Sequence, residues 1–151
     1  MSKAMEFDTE LKLKIYEMTA RNASIPNAAE VAYELGVPHK LILDSIERLS
    51  AKRLLVPEPG DSSRIRMAPP FSGIKTAFQV EVGDRSYYAN CVWDAFGIPA
   101  ALQMDGIIYA VDGFTEEPLQ LEISGGRPRT LEYVAHFAVP AALWWDDIVY
   151  T

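Results

Sequence analysis

Cysteine occurs once in the 151 residues and histidine twice. A single cysteine excludes an internal disulfide and leaves Cys91 as either a small buried hydrophobe or a reactive thiol. Positive charge is also scarce: 14 Lys and Arg stand against 21 Asp and Glu, a formal net charge of -7. That deficit favours solubility and argues against nucleic acid as the main partner, because phosphate contact needs a basic face. No run approaches the ~20 apolar residues of a membrane span. Residues 1–10 are polar and lack the apolar core of a secretion signal. Internal repeats and low-complexity tracts are missing too. Together these absences point to a cytoplasmic protein with no membrane partner.

What is present is enough for one medium domain or two small ones, with 49% hydrophobic and 23% charged residues. Residues 8–21 read as a helix, since Leu11, Ile15 and Met18 fall on one face. A second helix spans 27–35, with Asn27 as cap, Glu30 completing a capping box and Gly36 as its stop. A third opens at Pro38, a residue suited to the first helical turn, and turns Ile42, Ile46 and Leu49 inward. A strand at 54–56, a turn at 57–63 and a returning strand at 64–67 follow. Helix, helix, glycine turn, helix and hairpin is the order of a winged helix-turn-helix.

Pro69-Pro70 marks the expected boundary, giving a winged-helix-like region at 1–69 and a second region at 70–151. Beyond it the pattern is mostly extended. Residues 78–82 and 85–89 form a hairpin across Gly83-Asp84. A short helix at 90–102 carries the cysteine, and strands are expected near 107–111, 119–123 and 131–139. The fold class is therefore α+β, with a mixed sheet in the second region. Residues 148–151 read as the start of an apolar strand rather than a polar tail, which suggests missing sequence.

Asn90 is a good N-cap residue, which puts Cys91 in the first turn of its helix. Unpaired N–H groups there carry partial positive charge and favour a thiolate. Asp94, three residues on, shares that face and opposes the effect by like-charge repulsion. A thiolate beside a carboxylate supplies a soft ligand and a proton carrier. Without further context, a packed core cysteine and a helix-terminus charge describe the pair as well.

Among the other candidates, His136 reads as a structural, hydrogen-bonded and partly buried residue in a strand, and His39 as exposed. Trp144 and Trp145 suit core and edge packing or the wall of a pocket for an organic group. Asp146 and Asp147 point different ways and suit solvent or a cap. Tyr87 and Tyr88 alternate, so one is buried near Cys91. The stretch 36–66 holds Lys40, Arg48, Lys52, Arg53, Arg64 and Arg66 against Asp44, Glu47, Glu58 and Asp61, six positive minus four negative, or only +2. That is a weak basic face for a DNA reader.

The segment Tyr88-Ala89-Asn90-Cys91-Val92-Trp93-Asp94-Ala95-Phe96-Gly97-Ile98-Pro99-Ala100 has a distinctive texture. So do His136-Phe137-Ala138-Val139-Pro140 and Trp144-Trp145-Asp146-Asp147-Ile148-Val149-Tyr150-Thr151. Together they resemble the alkylmercury lyase (organomercurial lyase) family, whose helical N-terminal extension the first three helices also resemble. In that family a cysteine and an aspartate three residues apart act with a second, distant cysteine. Cys91 and Asp94 match the first two. The second follows a segment like 144–151, where this chain stops, and no other cysteine replaces it.

The resemblance implies protonolysis of carbon–mercury bonds, giving a hydrocarbon and Hg(II). Cys91 is then the mercury ligand and Asp94 the proton shuttle at the metal. It implies no cofactor, since mercury is substrate and product. It also implies external thiols in place of the missing cysteine, with an organomercurial and small thiols or a mercury-accepting protein as partners. Two rivals stand beside this lyase, whose turnover the missing cysteine impairs. One is a non-catalytic soft-metal or thiol-reactive binder. The other is a metal-responsive winged-helix regulator, which needs a basic recognition helix.

Overall fold

A computed structural model describes residues 3–129 and 132–149. Three helices come first: α1 (Lys3–Asn22), α2 (Ala28–Leu35) and α3 (His39–Ala51). Asn27 caps α2 with the expected reciprocal bonds: Glu30 N–H donates to its side chain at 3.0 Å, and Asn27 N–H donates to the Glu30 carboxylate at 2.8 Å. Gly36 ends α2 in the left-handed conformation at φ 66°. Pro38 is the N-cap of α3 and not its first helical residue. Its ψ of 137° is still extended, so the helix begins one position later. Leu11, Ile15, Val31, Ile42, Ile46 and Leu49 close over one another as the first core.

A three-stranded antiparallel sheet follows, in the order β1 (Val56–Glu58), β2 (Asp61–Ala68), β3 (Phe71–Ser72). The second sheet has five strands: β4 (Gln79–Val82), β5 (Arg85–Tyr88), β6 (Gly106–Val111), β7 (Pro118–Ser124) and β8 (Arg127–Pro128). Their order is β5-β4-β6-β7-β8. Helix α4 (Val92–Leu102) connects β5 to β6 and packs on the face bearing Val80, Val82, Ile108, Leu121 and Ile123. The expected mixed sheet is antiparallel in every described pair. The α4 crossover does return the chain in the direction of β5, but β4 lies between β5 and β6, so that parallel pair never forms.

The two cores are joined. Tyr16 and Ile25 pack against both, and Phe71 bridges to Ala89 beside its pairing with β2. The last carbonyls of α1, which lack helical partners, are taken up by β5. The Tyr87 hydroxyl donates to Ala20 O at 2.7 Å, and Arg85 Nε donates to Arg21 O at 3.0 Å.

Two expected strands are not found. Residues 132–139 form no strand, and most of them are exposed; Leu131 lies outside the described residues. Their residues suit a strand, but among the described residues no strand lies beside them to complete the hydrogen bonds. Ile148 and Val149 lie in a turn after a 3-10 segment (Ala141–Asp146), with Tyr150 and Thr151 outside the described residues.

Asp8 is the main buried charge of the helical part. Arg48 holds it at 2.6 Å, the Ser45 hydroxyl at 2.6 Å and Lys52 at 3.4 Å. The Arg48 hydrogen bond outweighs burial and lowers the carboxyl to about 2. An unfolded aspartate titrates near 3.8, so this contribution is complete above that value and is lost as pH falls toward 2. It amounts to about 2 kcal/mol. Urea unfolding at pH 7 and pH 2.5 should therefore show wild type losing more stability on acidification than Asp8→Asn, and equal losses would refute the assignment.

Candidate active site at the N-terminus of α4

Cys91 is the N-cap of α4 and does not lie in its first turn as expected. The Phe71–Ala89 bridge prolongs extended backbone past β5, and Cys91 itself is extended at φ -153°. The Asn90 side chain is therefore not a cap. Its amide Nδ2 donates to Phe71 O at 3.2 Å and to Asp94 Oδ2 at 2.8 Å. Thr76 fastens the adjoining loop, its hydroxyl donating to Ala89 O at 2.6 Å.

Cys91 and Asp94 line the same cavity, of about 340 Å³. Its floor comes from Arg66 and Met67 of β2, from Pro69, and from Ser72, Ile74 and Thr76. Its roof is apolar: Phe137, Trp144, Trp145, Ile148 and Val149. The roof is braced within itself and meets the helical part at Trp145. Trp144 Nε1 donates to Val139 O at 2.8 Å, and its ring lies 5.1 Å from that of Phe137. The Arg53 guanidinium, from the turn after α3, stands 5.7 Å from the Trp145 ring centroid.

The electrostatics of the pair follow from this enclosure. Burial pushes the Cys91 thiol above its ordinary value, with the Asp94 charge adding to it. The backbone N–H groups of Asp94 and Trp93 pull the other way without prevailing. Burial likewise raises the Asp94 carboxyl, against the lowering effect of the Asn90 hydrogen bond. Thiol and carboxyl are thus both biased toward their protonated forms in a mostly apolar space. A thiol and a carboxyl held together in one cavity can supply a soft ligand and a proton carrier side by side.

Cys91 and Asp94 are brought together as the spacing implied, and the two tryptophans form wall rather than core. His136 is exposed and outside this cavity, contrary to the partly buried strand position expected of it, because the segment carrying it pairs with no strand. His39 is exposed, as are Asp146 and Asp147. Tyr87 is the buried member of its pair, but its hydroxyl goes to α1 and not to the cavity. Sequence reasoning missed Arg66, the tether made by Asn90, and Tyr16. Tyr16 donates to Pro69 O at 2.6 Å and feels the Asp94 charge from α1. No local pattern links Tyr16 or Arg66 to α4, whereas Asn90 adjoins the cysteine and was legible only as a cap.

The fold and cavity define an α+β protein with a thiol–carboxyl site under an aromatic roof. The profile of the alkylmercury lyase family matches residues 71–151, just over half of the chain, and the chain belongs to that family. Among solved structures, the mercury-bound form of MerB2 is similar, with a TM-score of 0.62 at 20% identity. The match covers 80% of this chain and 59% of that one, so this chain spans about three-fifths of its structural neighbour. At that identity the likeness is one of fold. No curated protein gives a significant match. No described helix is long and apolar enough to cross a membrane.

Proposed function

We propose that the chain cleaves carbon–mercury bonds by protonolysis, with Cys91 as mercury ligand, Asp94 as proton shuttle and an external thiol as second sulfur ligand. The observation that carries this reading is the enclosure of Cys91 and Asp94 in one mostly apolar cavity. An organomercurial R–Hg–SR′ enters with its organic group under the tryptophan roof. The Cys91 thiol gives its proton to the Asp94 carboxylate, and its sulfur bonds mercury beside the thiolate already there. Metal coordination offsets the raised thiol value. Asp94 then delivers the proton to carbon as the carbon–mercury bond breaks. The products are R–H and Hg(II) held by Cys91 and the external thiolate, with Asp94 ionised again. A reducing, cytoplasmic compartment would supply that thiol, and small thiols or a mercury-accepting protein would remove the metal. No cofactor enters this scheme.

In this reading residues 1–69 are a winged-helix-like element that floors and braces the site of a lyase-like region at 70–151. Use of that element on DNA is disfavoured by its own ion pairs. Lys40 is held by Asp44 at 2.9 Å, Arg48 and Lys52 by Asp8, and Arg66 by Glu58 at 3.1 Å. Four of the six cations between 36 and 66 are thus engaged within the chain, and Arg53 faces Trp145. A second reading rests on the single cysteine: with one protein thiolate, mercury is captured without bond cleavage.

The deciding experiment is incubation with a phenylmercury salt and excess small thiol, followed by headspace assay for benzene, with Cys91→Ala as control. Cys91-dependent benzene is the expected result. Mercury bound one-to-one without benzene would replace the lyase by the binder, and benzene release unaffected by Cys91→Ala would remove the site.

A further inference from the structure

We infer that Asn90 is a positioning residue, which orients the Asp94 carboxyl so that its proton rides on Oδ1, the oxygen left free to face a bound mercurial; this rests on the lyase reading above. Both donors of the Asn90 amide are spent on acceptors, Phe71 O at 3.2 Å and Asp94 Oδ2 at 2.8 Å. The Phe71 carbonyl can only accept, so the amide cannot flip without losing that bond. Asn90 therefore offers Asp94 an N–H and never an acceptor. A neutral carboxyl accepts through its carbonyl oxygen and carries the proton on the other. With Oδ2 occupied by the Asn90 N–H, the acid proton belongs to Oδ1.

The arrangement leaves the Asn90 Oδ1 atom buried with no hydrogen-bond partner among the described residues. Such an orphan acceptor costs stability. An asparagine placed only to brace β3 against α4 needs one donor to Phe71 and has no need of Asp94. The second bond is what the site gains. The other groups around Asp94 do not duplicate this hold. Tyr16, from α1, directs its hydroxyl to Pro69 O. Arg66, from β2, pairs with Glu58. Cys91 is the acceptor site for mercury itself.

A double-mutant cycle with single-turnover benzene release tests this. Asn90→Ala should leave one-to-one phenylmercury uptake by Cys91 intact and slow benzene release roughly 10- to 100-fold, the scale of an ångström-level misplacement of a reacting group. In an Asp94→Ala background Asn90→Ala should have no further effect, since it acts only through Asp94. Equal slowing in both backgrounds would make Asn90 merely structural and overturn the inference. Loss on Asp94→Ala with none on Asn90→Ala would overturn the inference while sparing the lyase reading; no loss on Asp94→Ala would sink that reading itself. A readout independent of turnover is the ¹⁵N side-chain amide signal of Asn90. One of its two protons should shift on Asp94→Ala while the other, on Phe71 O, stays; two unmoved protons would refute the contact.

Discussion

Replacing Asp94 with asparagine should slow benzene release by about 10²- to 10⁴-fold, the usual worth of a positioned general acid. Mercurial uptake by Cys91 should persist in the same protein. Asparagine keeps the shape of the side chain and can still accept from Asn90, but it carries no acid proton. It also removes a negative charge that now raises the Cys91 thiol, so the sulfur should ionise more readily. Stability should move in the opposite sense to activity. Burial raises the Asp94 carboxyl, so between the ordinary value and the raised one the folded state holds a proton that the unfolded state releases. Wild type therefore loses stability as pH climbs from the ordinary value of 3.8 through the raised one. Asp94→Asn should lack that loss and unfold at a higher temperature at pH 7. Benzene release, thiol titration of mercury uptake and thermal unfolding at two pH values check the three parts. A variant that released benzene at the wild-type rate would remove Asp94 from the mechanism.

Alanine at Gly73 should destabilise the protein by about 3 kcal/mol, at the upper end for overpacking. Gly73 follows β3 and lies close against β2, its N–H donating to Arg66 O at 2.7 Å. A Cβ there would run into the Ile65 carbonyl oxygen and sit 3.1 Å from that of Arg66. Both obstacles are backbone atoms of one strand, so relief requires β2 and β3 to part. Those strands carry Arg66, Met67 and Ser72 of the cavity, and benzene release should fall with the stability. The expected drop in melting temperature is about 10 °C. Gly60→Ala is a useful contrast, because nothing lies within 4 Å of a Cβ built there, although its φ of +81° still strains any side chain. A Gly73→Ala protein as stable as wild type would mean the β2–β3 contact is looser than described.

Much of the fold was legible because local periodicity and cap chemistry act within a few residues. Asn27, Glu30 and Gly36 bound α2 as read, and Gly83-Asp84 joins β4 to β5 as read. The apolar stripe of Leu11, Ile15 and Met18 is buried as its spacing required. The two misread features of the sheet share one cause. Residues 132–139 are mostly apolar and aromatic, as in a strand, but composition describes what a strand offers and not whether a neighbour accepts it. A mixed sheet was expected, but the direction of a strand does not decide which strands become adjacent.

By itself the sequence determined the helices, the 78–89 hairpin and the Cys91–Asp94 spacing, since each depends on bond geometry and on side chains a turn or less apart. The single cysteine and the acidic balance were equally visible, being matters of composition. Tertiary structure alone decided the rest. The aromatic roof from 137–149 closes over residues more than forty positions earlier, and Tyr16 of α1 reaches Pro69 and the neighbourhood of Asp94. That closure settles the contest on the thiol: desolvation scales with what covers a group, and no spacing along the chain records what will cover Cys91.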